Sequence, residues 1–395
     1  MHNSRLDDLR DYPFQKLARL LETIDPPTGM TPIALSIGEP QHPPPALLAD
    51  TLAAHTADWG RYPPTPGTPE FRETVASWLK NRYALPDGMI TEKHVLPVSG
   101  TREALFNIAL YAIPQVQSGE RPVVLIPDPF YQIYAGAAAM AGAEPVFLPA
   151  DADNGFLPNF GEVSESVLAR TALCYLCSPS NPQGSVADLA YWQNVIGLAR
   201  RHDFLLAADE CYCELYDRIP PPGALEAAAA LDGTASHVLA FHSLSKRSSV
   251  PGLRSGFVAG DPDVVAGYAK LRTYTGGASP LPILAAATAL WADEAHVKAN
   301  RALYRRKFDI AERILSGRLH FYRPPAGFYL WLDVGDGERC ARELWHRAGV
   351  KVLPGAYLSR PREDGSSPGD RYIRIALVHD VETTEEALMR LAATL

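Results

Sequence analysis

The stretch 237–261, HVLAFHSLSKRSSVPGLRSGFVAGD, places two apolar runs on either side of a polar turn. The runs 237–241 and 256–260 have the unbroken apolar character of strands that are covered on both faces of a sheet. A helical crossover between parallel strands needs about a dozen residues, and the intervening segment is shorter and holds Pro251 and Gly252. The pattern therefore predicts that the second strand runs antiparallel to the first or lies elsewhere in the sheet.

Five more apolar runs precede this pair, and segments with helical periodicity separate them. The predicted strands are 94–100, 121–129, 144–150, 171–179 and 204–210, and the predicted helices are 101–114, 131–142, 186–202 and 262–273. Strands that alternate with helices are typical of an α/β domain with a mainly parallel sheet. Together the seven runs predict a mainly parallel seven-stranded sheet with flanking helices.

The pattern changes from about residue 281. One long helical stretch, 281–315, is followed by strands at 328–334, 350–354 and 372–378 around a helix at 337–348, which predicts a smaller α+β domain. An amphipathic helix within 8–24 is expected to pack on that domain. We therefore expect three parts, which are an N-terminal segment that joins the small domain (1–45), a large domain (46–280) and a small C-terminal domain (281–395).

Composition limits the class of protein and of partner. The chain has 395 residues, of which 47% are apolar and 21% charged, and its formal net charge is −8. This is an ordinary globular composition, and the negative charge argues against nucleic acid or an anionic membrane as the main partner. The polar N-terminus does not resemble a secretory signal, and no apolar run reaches the roughly 18 residues of a membrane span, so we expect a cytoplasmic protein.

The five cysteines are too few for a disulfide scaffold at this length. Cys174 and Cys177 have the CxxC spacing of a metal site, but they fall in a predicted strand, where residues three apart point to opposite faces. We therefore expect buried thiols and no metal site.

Polar residues follow the predicted strands at the points where the strands end. These residues are 99–101, 129–131, 178–182, 209–212 and 243–246. In an open α/β sheet, ligands bind at the carboxyl ends of the strands. The sequence therefore predicts one pocket at this edge of the sheet.

Several residues at this edge can carry chemistry. Gly100 and Thr101 precede a helix whose free N–H groups suit a phosphate, although such residues are more often only helix caps. Asp209 ends an apolar strand and needs a cationic or hydrogen-bonding partner, Lys246 is an amine that can lose its proton in such a place, and Arg254 can bind a phosphate through two nitrogens. Taken singly, each of these side chains is as readily explained by a structural salt bridge or a solvated surface.

Taken together, a phosphate clamp, a nucleophilic lysine, a carboxylate and an aromatic ring match the requirements of pyridoxal 5′-phosphate (PLP). The lysine would form a Schiff base with the cofactor aldehyde. The carboxylate would keep the pyridine nitrogen protonated, and the aromatic ring would cover one face. The set therefore predicts a PLP cofactor.

Eight stretches spread over almost the whole chain resemble the class I and II aminotransferases of PLP fold type I. They are SIGEP (36–40), YPPTPGTPEFR (62–72), VSGTREALF (98–106), PDPFYQIY (127–134), SPSNPQG (178–184), ADECY (208–212), SLSKRSSVPGLRSGF (243–257) and YIRIAL (372–377). Each stretch alone is unspecific, but the joint match is specific. The resemblance implies a PLP-dependent aminotransferase.

The resemblance also implies a role for each matching residue. Lys246 would bond to the cofactor and then carry the proton between the substrate α-carbon and the cofactor. Asp209 would pair with the pyridinium nitrogen. The other cofactor ligands would be Gly100, Thr101, Ser243 and Arg254 for the phosphate, Tyr131 for the ring, and Asn181 and Tyr212 for the 3′-oxygen.

The resemblance further implies a homodimer and a binding site for the substrate carboxylate. Tyr62 would reach a phosphate across the dimer interface. Arg374 would bind the substrate α-carboxylate through two nitrogens, with help from the Gly38 backbone and Asn181. The Asn181–Pro182 bond is expected to be cis. Gln183 departs from the family pattern, in which threonine is usual, and is expected to replace a hydroxyl at the pocket edge.

Within the family, four phrases resemble enzymes that exchange an amino group between glutamate and N-succinyl-2-amino-6-oxopimelate by a ping-pong reaction in bacterial lysine biosynthesis. They are PFYQIY (129–134), DECYCELY (209–216), the stretch 243–261 and RTYTGGAS (272–279). These substrates carry several carboxylates, so a second cationic patch is required. The candidates are Arg102, Arg247 and Arg272.

Other functions fit parts of the sequence. The segment 243–246 is a literal S-x-x-K, the motif of penicillin-binding proteins and β-lactamases, but no companion motif follows and Pro251 interrupts any helix. An aminotransferase for aspartate, alanine or aromatic substrates, or a PLP-dependent C–S lyase, would share the fold. A non-catalytic PLP-fold module is disfavoured because Lys246, Asp209 and Arg374 are all present.

Overall fold

The computed structural model describes residues 1–395 and contains twelve β-strands and fourteen α-helices. The strands are β1 (Ile33–Ala34), β2 (Val95–Val98), β3 (Val123–Asp128), β4 (Glu144–Pro149), β5 (Thr171–Cys177), β6 (Leu205–Asp209), β7 (Val238–Ser243), β8 (Gly256–Gly260), β9 (Tyr329–Asp333), β10 (Val350–Lys351), β11 (Leu353–Pro354) and β12 (Tyr372–Ala376). The helices are α1 (Pro13–Leu21), α2 (Ala46–Ala54), α3 (Pro69–Tyr83), α4 (Thr101–Ala112), α5 (Gln132–Ala141), α6 (Glu165–Arg170), α7 (Leu189–His202), α8 (Ala224–Leu231), α9 (Leu244–Arg247), α10 (Pro262–Thr275), α11 (Leu281–Ala292), α12 (Ala295–Leu315), α13 (Gly337–Ala348) and α14 (Val381–Thr394). No helix is both long and apolar enough to span a membrane.

The large sheet has seven strands in the order β2-β8-β7-β6-β5-β3-β4. Strands β3 to β7 pair in parallel, and β8 pairs antiparallel with both β7 and β2. The predicted mainly parallel seven-stranded sheet is therefore confirmed, and so is the reversal between β7 and β8 that the short polar turn predicted.

Two hydrophobic clusters cover the two faces of this sheet. One contains side chains of α3, α7, α8 and α11, and the other contains side chains of α4, α5 and α10. Alternate residues of β6 enter different clusters, because Leu206 and Ala208 belong to the first and Leu205 and Ala207 to the second. Burial on both faces explains why these strands are apolar without a break.

The C-terminal part has its own antiparallel sheet, β11-β12-β9, and its own hydrophobic cluster, to which α12, α13 and α14 contribute. The N-terminal segment packs here. Strand β1 pairs with β10, and Leu17 and Leu21 of α1 contact Trp331 and Leu353. The boundaries at residues 45 and 280 stay a prediction.

The single long helix predicted for 281–315 is wrong. The structure has two helices there, α11 and α12, because the backbone is extended at Asp293 (φ −98°, ψ 124°). The Asp293 carboxylate accepts a hydrogen bond from the N–H of His296 at 3.0 Å, which begins the second helix. The predicted strand 350–354 is also divided, into β10 and β11, which belong to different sheets.

Candidate active site

A cavity of about 590 Å³ lies where β5, β6 and β7 end. Ten of the residues proposed from the sequence line it, and they are Gly38, Thr101, Tyr131, Asn181, Asp209, Tyr212, Ser243, Lys246, Arg254 and Arg374. Six of these residues lie together because they end or follow parallel strands at the same edge of the sheet. The other four come from elsewhere, since Thr101 and Arg254 adjoin the antiparallel strands β2 and β8, Gly38 follows β1, and Arg374 lies on β12.

Lys246 lies on the single helical turn α9, which follows β7 directly. Ser243 caps this turn by accepting a hydrogen bond from the N–H of Ser245 at 3.1 Å. The Lys246 Nζ donates to the carbonyl of Gly38 at 2.7 Å and lies 5.4 Å from the centre of the Phe328 ring. Burial lowers the pKa of Lys246 to about 8, so the neutral amine, which can act as a nucleophile, makes up about a tenth of the population at pH 7 instead of a trace.

Asp209 ends β6, and its carboxylate is buried. Tyr134 donates its hydroxyl proton to Oδ2 at 2.6 Å, and the N–H of Cys211 donates to Oδ1 at 3.2 Å. Burial raises the pKa of Asp209, and these hydrogen bonds act in the opposite direction. The carboxylate is therefore held in one orientation and is available to a protonated ligand atom in the cavity.

Tyr134 is a supporting residue that the sequence interpretation missed. Its ring is buried and stacks on Tyr175 with 4.5 Å between ring centres and 10° between planes. The signal was in PDPFYQIY, where a second tyrosine follows Tyr131 by three residues on α5. This spacing places both rings on one side of the helix, and they meet edge to face at 5.7 Å.

Gly100 and Arg254 form a close cradle at the start of α4. Gly100 has φ +83°, and a β-carbon there would lie 2.1 Å from Nη2 of Arg254, so the guanidinium occupies the space of the missing side chain. Arg254 has a left-handed backbone (φ 54°) and donates to the carbonyls of Pro251 at 2.9 Å and Ser99 at 3.3 Å. A cation beside the N-terminus of α4 at Thr101 is an arrangement that suits a phosphate.

Arg374 is buried, yet its hydrogen-bond partners are neutral. Nη1 donates to Oδ1 of Asn181 at 3.0 Å and Nη2 to the carbonyl of Ser36 at 2.7 Å, while Nε has no partner in the protein. The ring of Tyr329 lies 4.4 Å from the guanidinium carbon, and its hydroxyl fills the space where Gly38 would carry a side chain. A buried guanidinium without a protein carboxylate is suited to a carboxylate of a ligand.

The two predicted tyrosines also lie in the cavity. Tyr131 accepts a hydrogen bond from Nε of Arg102 at 2.6 Å. The hydroxyl of Tyr212 lies 3.2 Å from that of Tyr329, and burial raises the pKa of Tyr212 well above its usual value. The hydroxyl of Tyr212 therefore remains protonated near neutral pH. The Asn181–Pro182 bond is cis, as expected.

Among the charged side chains of the lining, cations outnumber carboxylates. Arg102, Lys246, Arg254 and Arg374 are bound to neutral oxygens, and the only carboxylates in the lining are Asp209 and Glu39. Cations without protein counter-ions favour anionic ligands.

Two of the three arginines proposed for a distal carboxylate do not reach the cavity. Arg247 is 2% exposed, donates to Glu294 at 2.6 Å and lies 4.6 Å from the Trp291 ring. Arg272 is 1% exposed and binds both carboxylate oxygens of Glu103 at 2.7 Å. Both proposals are wrong, because each of these two guanidinium groups is buried and already paired with a carboxylate of the protein. Arg102 is the one candidate that lines the cavity.

Gln183 does not line the cavity either. Its side chain is buried and donates to the carbonyl of Ala150 at 3.2 Å. The prediction that it changes a hydroxyl at the pocket edge is wrong, because its amide points into the protein.

Tyr62 is fully exposed and does not line the cavity of its own chain. Its contact with a phosphate across a dimer interface stays a prediction.

The sequence interpretation also missed part of the lining that comes from distant segments. These residues are Tyr12, Pro13, Phe14, Ile37, Glu39, Cys177, Cys211, Tyr329 and Leu358. Three of them, Ile37, Glu39 and Cys211, lie within a quoted motif, as with Glu39 beside Gly38. Tyr12, Pro13 and Phe14 carried no local signal, because only the docking of α1 brings them here.

Comparison with known proteins identifies relatives over the whole chain. The family model for aminotransferase class I and II matches residues 31–391. LL-diaminopimelate aminotransferase of Moorella thermoacetica is 31% identical over 399 residues, which cover 99% of this chain and 97% of that protein. Among solved structures, an aminotransferase from Neisseria meningitidis Z2491 is 44% identical with a TM-score of 0.94 and covers 99% of both chains. Aminotransferase AspB from Helicobacter pylori 26695 is 35% identical with a TM-score of 0.90 and covers 98% of both chains.

Proposed function

The chain belongs to the class I and II aminotransferases, and we propose that it transfers the amino group of glutamate to N-succinyl-2-amino-6-oxopimelate on the route to diaminopimelate and lysine. Enzymes of this family depend on PLP and exchange an amino group between an amino acid and a 2-oxo acid. The family settles the reaction type, and the lining of the cavity supports the substrate.

The cavity fits PLP in both charge and space. A buried amine with a lowered pKa, Lys246, and a buried carboxylate, Asp209, line the same cavity. Gly100 lets the guanidinium of Arg254 lie against the start of α4, because a β-carbon there would clash with it. These residues would hold the aldehyde, the ring nitrogen and the phosphate, together with Thr101 and Ser243 for the phosphate and Tyr131 for the ring.

When bound, PLP supplies an electron-accepting ring that stabilises the electron pair left when the substrate α-C–H bond breaks. Lys246 Nζ would accept the α-proton as a neutral amine and deliver it to the carbon that was the aldehyde of the cofactor. The lowered pKa of this amine, about 8, keeps the neutral form accessible near neutral pH. Asp209 keeps a proton on the ring nitrogen because its charge, fixed by Tyr134 and Cys211, favours the protonated form.

Substrate orientation is assigned to Arg374, Asn181 and Gly38. Arg374 binds the α-carboxylate, since its buried guanidinium has only neutral partners and an unpaired Nε. Asn181 keeps the guanidinium in place. The Gly38 carbonyl holds Lys246 Nζ at 2.7 Å. The hydroxyl of Tyr212 would donate to an oxygen of the bound cofactor. Fixing the reacting groups in this way lowers the entropy cost of the reaction.

Arg102 is the residue that supports an acceptor with more than one carboxylate. Of the three arginines that could bind a second carboxylate, it alone lines the cavity, and its protein partner is the neutral hydroxyl of Tyr131. Glutamate and the succinylated oxo acid both carry a carboxylate beyond the reacting carbon. Arg102 therefore accepts the distal carboxylate of each substrate in turn.

Half-reactions test this proposal. The holoenzyme mixed with glutamate should lose the visible absorbance of its bound cofactor, and N-succinyl-2-amino-6-oxopimelate should then restore it. Arg102→Gln should raise KM for both substrates by about tenfold, since a charge-assisted contact is lost. Arg201→Gln, which removes an exposed cation at the end of α7, is the control. The proposal fails if glutamate does not bleach the band.

A second candidate is transamination of LL-diaminopimelate, which is favoured by the relationship to the enzyme of Moorella thermoacetica. That substrate has a free amino group at its distal end, and Glu39 is the exposed acid in the lining that can meet it. Comparing kcat/KM for the free and the N-succinylated diamine separates the candidates. A higher value for the free diamine would replace our proposal with this one.

We also propose a homodimer in which Tyr62 enters the site of the second subunit. Tyr62 and Trp59 are exposed aromatic side chains beside α2, which indicates a surface that is covered in an assembly. The mass from sedimentation equilibrium should be twice that of the chain. Tyr62→Phe should weaken cofactor binding without changing that mass.

A further inference from the structure

Three cations lie on segments that also contribute residues to the lining of the active-site cavity. They are Arg10 and Lys16 from the N-terminal segment and Arg360 from the loop after the short helix Gly355–Leu358, and we call them the entrance cluster. Tyr12 and Phe14, which lie between Arg10 and Lys16, line the cavity on one side.

The cluster is tied to the lining by hydrogen bonds and ring contacts. Lys16 lies one turn beyond Tyr12, whose carbonyl accepts the Lys16 N–H at 3.2 Å, and its Nζ lies 5.7 Å from the centre of the Tyr357 ring. The carbonyl of Tyr357 accepts a hydrogen bond at 3.3 Å from Gln132, which lines the cavity. Lys16 is therefore placed at the border of the cavity.

Arg360 lies on a second segment that contributes to the lining, through Leu358. Its backbone N–H donates to the carboxylate of Asp128 at 3.2 and 3.3 Å, and its guanidinium carbon lies 5.1 Å from the centre of the Phe147 ring. Leu358, two residues earlier, lines the cavity and is bound through its carbonyl to the N–H of Phe130 at 2.9 Å. The loop is thus anchored to the end of β3.

No member of the cluster forms an ion pair, whereas Arg19 on the same helix is paired with Asp11. Nε of Arg360 is buried without a partner. Burial lowers the pKa of Lys16, and the charges of Arg10 and Arg360 lower it further. Three cations that repel one another in a chain of net charge −8 are stabilised if an anion binds between them.

We propose that Arg10, Lys16 and Arg360 bind the terminal carboxylate of an N-acylated, polyanionic amino acceptor at the entrance of the cavity. This inference rests on the proposed function. An N-succinylated amino-oxopimelate has three carboxylates, of which Arg374 takes the one at the reacting end and Arg102 takes the second. The entrance cluster takes the third, which belongs to the acyl group. The free diamine has no acyl carboxylate, so the cluster gives the site a preference for the acylated substrate.

The first test uses the holoenzyme and the variants Lys16→Met and Arg360→Met. Each should raise KM for the N-succinylated acceptor by about tenfold, because one charge-assisted contact is lost. The glutamate half-reaction should change by less than about twofold, because glutamate has no acyl carboxylate to reach the cluster. Arg19→Met is the control, since it removes a cation from the same helix that is already paired.

The second test does not depend on turnover. Glutarate, pimelate and azelate are titrated into the holoenzyme, and their dissociation constants are read from the shift of the visible band of the cofactor. The native enzyme should bind the longest diacid most tightly, and the double variant Lys16→Met/Arg360→Met should lose that preference. Equal binding of the three diacids by the native enzyme would refute the cluster as an anion site.

The two tests separate the proposals. If the succinylated acceptor does not react, but the length preference exists and is lost in the variant, the proposed substrate fails and the anion site stands. If the acceptor reacts and both single variants keep the native KM, the anion site fails and the proposed function stands.

Discussion

Lys246 and Lys307 are two amines with little access to solvent, Lys246 half-buried in the lining of the cavity and Lys307 fully buried outside it, and they have opposite surroundings. Lys246 Nζ has one hydrogen-bond acceptor, the carbonyl of Gly38, and opens into the cavity. Lys307 is 0% exposed, and its Nζ is held by Nε2 of His42 at 2.7 Å and by the carbonyl of Leu377 at 2.9 Å. Burial lowers the pKa of both amines, to about 8 and about 7. A lowered pKa alone therefore does not make an amine a nucleophile, because a substrate or cofactor must also be able to approach its nitrogen.

The two lysines are connected through the protein. Nδ2 of Asn300 donates to the carbonyl of Lys246 at 3.1 Å, and its Oδ1 lies 2.7 Å from Nδ1 of His42, the histidine that Lys307 contacts. This chain of hydrogen bonds requires neutral His42 with its proton on Nδ1, and burial lowers the pKa of His42 accordingly. Lys307 thus supports the backbone that carries Lys246.

Removal of the reactive amine should have the largest effect. Lys246→Ala should reduce turnover by about four orders of magnitude or more, because the proton carrier and the covalent anchor are both lost. Borohydride treatment should attach the cofactor to the native protein and leave the variant unlabelled in a mass spectrum. Full activity in a colourless variant would contradict the assignment, and Lys307→Met serves as the control that keeps the label.

The second prediction concerns stability and pH at Lys307. Its pKa is lowered from 10.5 to about 7, so between these values the unfolded chain binds more protons at this group than the folded chain. The contribution of Lys307 to stability therefore grows as pH rises through this window and is absent below it. His42 and the more distant Asp380 are the titratable groups that face Lys307, and His42 stays neutral throughout.

Urea unfolding of the native protein and of Lys307→Met measures this contribution. The difference in the free energy of unfolding between the two proteins should grow by about 1 kcal/mol per pH unit within the window. Lys246 titrates in the same direction but is present in both proteins, so it cancels. A pH-independent difference would show that Lys307 stays charged in the folded state.

The smallest effect is expected from cutting the connection between the two lysines. Asn300→Ala removes the donor to the carbonyl of Lys246, so α9 should be less well fixed and kcat should fall by about two- to tenfold with KM nearly unchanged. The exposed Asn194 provides a matched control as Asn194→Ala. A pure rise in KM would mean that Asn300 acts on substrate binding and not on Lys246.

The sheet and most of the site could be predicted from the sequence, because their signals are local. Strands covered on both faces are recognised from unbroken apolar runs, and the proposed ligands lie at the end of each strand or directly after it, as Asp209 does at the end of β6. The break at Asp293 was missed, since the apolar periodicity continues through it and one side-chain cap decides it.

The fate of the arginines could not be predicted, because their partners are distant in sequence or lie on another helix. Arg272 pairs with Glu103, and Arg247 pairs with Glu294 and lies against the ring of Trp291. The residues near Arg247 in the sequence do not indicate that its side chain is buried. Arg102 differs because no carboxylate of the protein forms an ion pair with it. The fold decides this, and the residues next to Arg102 in the sequence do not.

Strand β8 has a consequence for how this enzyme can vary. Because β8 pairs antiparallel with β7 on one side and β2 on the other, both ends of the segment between Lys246 and Arg254 are fixed by backbone hydrogen bonds. The proposed covalent anchor and the proposed ionic anchor of the cofactor therefore lie at the two ends of one short segment. An insertion or deletion in 247–253 should alter reactivity and cofactor affinity together, so the length of this segment is constrained by both.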